Sequence, residues 1–115
     1  MNMQKIQNII KEFSKQRNWD QFHNPKNVAM ALSVETAELV EIFQWLNEKE
    51  ALNLNEAKQE HLSEEVADIA VYLLRICMAY DINLEEAIIS KMKKNEIKYP
   101  LIDKQGNKIE YGKKN

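Results

Sequence analysis

The chain has 115 residues, 44% of them hydrophobic and 30% charged, with a formal net charge of −2; these are the proportions of one globular domain. No apolar run approaches the ~20 residues of a membrane span, and Met1-Asn2-Met3-Gln4-Lys5 lacks the apolar stretch of a secretory signal. One cysteine, Cys77, excludes an internal disulfide and a cysteine-based zinc site, and fits a reducing cytoplasm.

Two Gly and two Pro leave few tight turns, while Leu, Ala, Glu, Lys, Met and Gln are plentiful, so an all-α fold is expected. Residues 3–17 form the first predicted helix, with Ile6, Ile9, Ile10 and Phe13 on one stripe. A connector, Asn18-Trp19-Asp20-Gln21-Phe22-His23, follows. Asn24 and Pro25 suit the N-cap and first position of a second helix over 25–47. Residues 48–54 read as a loop or short helical turn. Asn55 caps a third helix to about Tyr80, whose apolar seam is Leu62, Val66, Ile69, Leu73, Ile76, Cys77 and Tyr80. Ala67, Val71 and Leu74 make a second apolar face, leaving a narrow polar strip of His61, Glu64, Glu65, Asp68, Tyr72 and Arg75. Asn83-Leu84-Glu85-Glu86 starts a fourth helix to Lys98, stopped before Pro100. Residues 101–115 are expected to be a loosely ordered arm or a small hairpin, with a turn at Gln105-Gly106-Asn107. The protomer is thus a four-helix bundle, and helices this long in so small a chain imply that oligomerisation completes the core.

Charge is unevenly spread. Residues 35–68 hold ten acids against Lys49 and Lys58, whereas residues 91–115 hold eight lysines against three acids. Two acid pairs stand out, Glu35-Thr36-Ala37-Glu38 and Glu65-Val66-Ala67-Asp68. Each has i, i+3 spacing, so both side chains share a helix face. On the second helix Glu35 falls at the centre of the stripe made by Val28, Ala31, Leu32, Leu39, Ile42, Phe43, Trp45 and Leu46, with Glu38 about 60° away. Unpaired carboxylates on a buried face cost several kcal/mol each, so they need cationic side chains, hydrogen-bond donors or a metal there. Because Glu65 and Asp68 lie on a polar strip instead, Glu35 and Glu38 are expected to be the more buried pair.

Four carboxylates from two antiparallel helices make a hard oxygen site suited to Mg²⁺ or Mn²⁺, with waters and phosphates completing the shell. A di-iron bundle needs Glu-x-x-His twice, and the two histidines do not supply it; His61-Leu62-Ser63-Glu64 runs in the reverse order. Trp19, Phe22, His23 and Trp45 can stack on a nucleobase. Lys91, Lys94, Asn95 and Lys98 cluster on the last helix, where they can meet phosphate oxygens. No basic groove with interleaved aromatics marks a nucleic-acid polymer as partner.

Glu35-x-x-Glu38 and Glu64-Glu65-x-x-Asp68-x-x-x-Tyr72 occur with Trp19-x-x-Phe22-His23-x-Pro25-x-Asn27, Phe43-Gln44-Trp45 and Ser90-Lys91-Met92-x-x-Asn95-x-x-Lys98-Tyr99-Pro100. Together, over residues 3–100, they resemble the MazG-like all-α nucleoside triphosphate pyrophosphohydrolases, and within them the dCTP pyrophosphatase branch. The resemblance implies that Glu35, Glu38, Glu65 and Asp68 bind Mg²⁺. The metal would hold a triphosphate and activate water for attack at the α-phosphorus, releasing a nucleoside monophosphate and pyrophosphate. It further implies a base pocket of Trp19 and Trp45 with His23 near it, and contacts from Tyr72 and Asn95 to sugar or phosphate. Lys91, Lys94 or Lys98 would meet the departing pyrophosphate. The family's first helix often offers a histidine to the base; Ile10 stands there in this chain. Relatives assemble as dimers or tetramers. The alternatives are a metal–nucleotide-binding bundle without hydrolysis and a phosphoribosyl-ATP pyrophosphohydrolase, against which the Trp19 and Trp45 motifs argue.

Overall fold

The computed structural model describes residues 1–112. It is all-α, with five helices: α1 (Met3–Gln16), α2 (Pro25–Phe43), α3 (Glu48–Leu52), α4 (Glu56–Ala79) and α5 (Leu84–Lys98). Every one begins on an asparagine. The side chains of Asn2, Asn24, Asn47, Asn55 and Asn83 each accept a hydrogen bond from the backbone N–H three residues on, at 2.8–3.1 Å. An asparagine at this position satisfies one of the four N–H groups that a helix start leaves without a partner.

Asn47 also sets where α2 stops. Its side chain accepts from the Glu50 N–H at 2.8 Å while Glu50 Oε1 accepts from the Asn47 N–H at 3.0 Å, a reciprocal capping box. The chain therefore starts a new short helix where the sequence pattern extends α2 to residue 47. Phe43 is the last residue of α2, and Trp45 falls in the turn beyond it.

The fold divides into two compact units, one of Met1–Asp81 and one that begins at Ile82. In the first unit α4 packs along α2, and α1 packs against α4. The two long helices are antiparallel: Glu41 and Ile42 share a cleft with Lys58 and His61, whereas Glu35 shares a cavity with Asp68 and Tyr72. Ile10, Val28, Ile42, Leu74 and Cys77 form the small apolar core. Cys77 is free and buried, as its place in the apolar seam predicts.

Much apolar surface remains outside that core. Met30, Val34 and Val40 of α2 are exposed, as are Val66 and Leu73 of α4 and Tyr80 at its C-terminal cap. The α4 seam is thus only half used within the protomer. Asp81 turns the chain out of α4 in the left-handed conformation, at φ 54°.

In the second unit α5 has no buried residue. The arm after it is more ordered than its composition suggests. Ile102 and Lys108 pair as an antiparallel bridge, and Asp103 Oδ1 accepts from the N–H groups of Gln105 and Asn107, both at 2.9 Å. Gly106 occupies the positive-φ position of this turn, at 84°. Residues 113–115 of the predicted arm lie outside the described residues.

Candidate active site

Antiparallel packing of α2 on α4 brings the acid pairs to one place. One carboxylate oxygen each from Glu35, Glu38 and Glu65 lies within 4.8 Å of the others. Asp68 is exposed and stands apart from this group of three, on the side of the adjoining cavity. The burial order departs from the expectation of the helical wheel. Glu65 is 7% exposed, the most buried of the four, Glu35 and Glu38 are half-buried, and Asp68 is the most exposed. Of the polar strip of α4 it is Glu65 that turns toward the acids of α2.

Like charges held this close disfavour full ionisation. The Glu35 carboxyl is pushed up to about 7, first by burial, then by the carboxyl groups of Glu65 and Glu38 crowded against it, and then by the charges of Glu38 and Asp68. Glu35 Oε2 and Glu65 Oε2 are both buried without a hydrogen-bond partner. Two orphaned carboxylate oxygens facing one cluster are the feature a divalent cation satisfies, so the donor set fits Mg²⁺ or Mn²⁺. Glu65 has one further partner that sequence reasoning left unassigned: His61 Nε2 lies 3.3 Å from its Oε1. The i, i+4 spacing of His61 and Glu65 was the available signal.

Beside the acids is a cavity of about 390 Å³, within the range of small-ligand sites. Glu35 and Asp68 lie at it, together with Tyr72 and Arg75 of α4, Ile9, Ile10 and Phe13 of α1, and Trp19 and His23 of the connector. A left-handed Asn18, φ 55°, turns the chain at the end of α1, and the Trp19 N–H then donates to the Ser14 carbonyl at 2.9 Å. That fold-back sets the Trp19 ring edge-on to Phe13, centroids 5.5 Å apart, and edge-on to His23 at 6.1 Å. Asn27 Nδ2 ties the connector to α2 by donating to the Phe22 carbonyl at 3.0 Å. Burial, and then the Arg75 charge, hold His23 below its ordinary pKa, with Asp20 opposing them.

The model of the MazG-like family matches residues 30–113, a span that contains both acid pairs. The chain belongs to the MazG-like family. This MazG-like chain is 34% identical over 111 residues to dCTP pyrophosphatase 1 of Mus musculus and 35% identical over 100 residues to that of Homo sapiens. The alignments cover 95% and 85% of the chain, but only 65% and 59% of those relatives' lengths. In fold it is similar to the crystal structure of a pyrophosphatase from Archaeoglobus fulgidus, with a TM-score of 0.81 and 42% identity. That match covers 87% of this chain and 94% of the other.

Within the MazG-like fold Trp19, His23 and Tyr72 line the same cavity as Glu35 and Asp68. The structure does not bring Trp45 to Trp19. Trp45 is 86% exposed beyond the end of α2, beside a separate cleft shared with Glu41 and His61. The Asn47 capping box is the cause, because it removes Trp45 from the helical face that the wheel assigned to it. Lys91, Lys94, Asn95 and Lys98 lie on α5 in the second unit, all except Asn95 exposed. Asn95 Nδ2 donates weakly to Met92 Sδ at 3.8 Å. Arg75 and Phe13 are cavity residues that the sequence reading assigned no role, although Arg75 continues the polar strip of Asp68 and Tyr72.

Proposed function

We propose that the chain is a divalent-metal-dependent pyrophosphohydrolase that converts a nucleoside triphosphate such as dCTP to the monophosphate and pyrophosphate. The observation that carries this reading is the convergence of Glu35, Glu38 and Glu65, with two of their buried oxygens unpartnered, beside a cavity walled by aromatic residues. The named relatives and the solved pyrophosphatase support the same chemistry.

In this reading Glu35, Glu38 and Glu65, with Asp68 at their margin, hold Mg²⁺ or Mn²⁺. When bound, the ion neutralises phosphate oxygens and lowers the pKa of water for attack at the α-phosphorus. The protein's part is positioning and electrostatics, which dominate phosphoryl-group chemistry. The unpaired oxygens of Glu35 and Glu65 fix where positive charge can sit. His61 orients Glu65 through its second carboxylate oxygen. Tyr72, one helical turn beyond Asp68, takes the sugar, and Trp19 with His23 receives the base. Lys91, Lys94 or Lys98 keeps the role that the family likeness gives it, at the departing pyrophosphate, and Asn95 its role at sugar or phosphate. Trp45, exposed and apart from Trp19, serves a base pocket only across an interface with another copy. The exposed apolar residues of α2 and α4 fit a homodimer or homotetramer, and the setting is a cytoplasm in which the enzyme trims the nucleotide pool.

Purified protein given dCTP and a panel of other triphosphates is expected to release pyrophosphate only with Mg²⁺ or Mn²⁺ present. Nucleotide binding without pyrophosphate from any member of the panel would make it a metal–nucleotide sensor instead.

A further inference from the structure

Arg75 is a charged side chain that the acid chemistry does not use. Among the described residues it forms no ion pair and donates no hydrogen bond, and its Nε is buried without a partner. Asp20 acts on it through space but does not pair with it. An arginine carries five N–H donors and no acceptor, so desolvating it unpaired is costly unless a ligand supplies acceptors.

Its place in the fold says which part of a ligand that is. Asp68, Tyr72 and Arg75 occupy successive turns of one face of α4, and Arg75 lies about 10 Å along the axis from Asp68, at ~1.5 Å per residue. All three line the same cavity. A nucleotide whose phosphates lie at the acids and whose sugar lies at Tyr72 reaches Arg75 with its base. There Phe13 and Trp19 offer aromatic surface, and His23 Nδ1 is a second buried polar atom without a partner. Phosphate is the other partner an arginine favours, but Arg75 is displaced from the acids toward the aromatic wall.

We propose that Arg75, with His23 beside it, reads the edge of the base and selects bases that present a carbonyl oxygen next to an acceptor nitrogen. The proposal rests on the nucleotide reading of the cavity. The planar guanidinium fork pairs with two adjacent acceptors at once. Cytosine presents such a pair through O2 and N3, and guanine through O6 and N7. Thymine and uracil interrupt their carbonyls with N3–H. Adenine sets an amino donor beside its ring nitrogens, where it meets the guanidinium donor to donor. His23, held toward the neutral form, completes the contact with one donor and one acceptor.

The test compares wild type, Arg75→Met and Arg75→Lys with dCTP, dGTP, dTTP and dATP in Mg²⁺. Arg75→Met is expected to lower kcat/KM for dCTP and dGTP by about tenfold to a hundredfold, mainly through KM, and for dATP by less than about threefold. Arg75→Lys, which keeps the charge but loses the fork, is expected to recover only part of the loss. Equal losses for all four substrates, or no loss, overturn the proposal. Calorimetric titration with dCMP and dAMP, without metal, reads base recognition apart from hydrolysis. If no triphosphate is cleaved yet dCMP binds more tightly than dAMP through Arg75, hydrolysis fails as a reading and base selection stands. If dCMP and dAMP bind alike in wild type and in Arg75→Lys, base selection is overturned whatever the turnover. Circular dichroism identifies a variant that has not folded, and the Arg75→Lys comparison then decides.

Discussion

The two acid pairs have the same spacing and different surroundings. On α2 both members are half-buried, and Glu35 is held partly protonated near neutral pH. On α4 Glu65 is buried with His61 at its outer oxygen, while Asp68 is exposed at the edge of the cavity. An i, i+3 pair straddles about 60° of a helix, so one member can face the neighbouring helix squarely while the other looks along the groove. Spacing alone therefore identifies ligands without ranking them.

The comparison can be broken most directly at its centre. Glu65→Gln or Glu38→Gln is expected to lower kcat on the order of 10³-fold, the scale of losing a preorganised electrostatic partner, with helix content unchanged by circular dichroism. Asp68→Asn, outside the three-oxygen cluster, is expected to cost about tenfold less than Glu65→Gln. Equal losses would mean that all four acids act as one set.

His61→Ala should weaken Mn²⁺ binding by about tenfold, at the low end for an outer-sphere partner. Titration followed by paramagnetic relaxation would measure it, and unchanged affinity would leave His61 a surface residue.

A smaller effect concerns protons. Glu35 titrates near 7 in the fold and at 4.5 as its ordinary value. A raised carboxyl binds its proton more tightly folded than unfolded. Its stabilising contribution is complete below 4.5 and lost as the pH rises through about 7. Metal-free protein should thus melt at a lower temperature at pH 8 than at pH 6, Glu35→Gln should flatten the difference, and Mg²⁺ should stabilise more at pH 8, where no proton competes. Scanning calorimetry distinguishes these cases.

Smallest for activity is Asn47→Ala, which lies outside both pairs. It should cost about 1 kcal/mol of stability through the lost cap and leave kcat unchanged.

Local chemistry was the most legible part of the sequence. Asn24-Pro25, Asn55 and Asn83 are caps where the side chains predict them, and Cys77 is in the core. Asn47-x-x-Glu50 carried the same kind of signal, but the apolar stripe through Trp45 and Leu46 masked it. What one helix cannot reveal is which of its faces its neighbour covers. The wheel of α4 offered two apolar faces and a polar strip, and of that strip Glu65, Tyr72 and Arg75 went inward while His61, Glu64 and Asp68 stayed exposed, with Val66 left 52% exposed. Glu65, Tyr72 and Arg75 are buried to the extent they are because α1, the connector and α2 converge on them from distant parts of the chain. Arg75 was visible as a charge in an apolar segment, but only the cavity gives it a task.

The left-handed bend at Asn18 has a consequence for how this molecule can change over evolutionary time. It hands the aromatic wall of the cavity to α1 and the connector, while the acids belong to α2 and α4. Much of the surface that meets a ligand is thereby inherited from a separate stretch of chain, with Tyr72 and Arg75 sharing a helix with carboxylates. Drift at Ile9, Ile10, Phe13 or Trp19 can retune which molecule is accepted without disturbing a single carboxylate. A library confined to those four positions is the natural way to give the same acids a different diet.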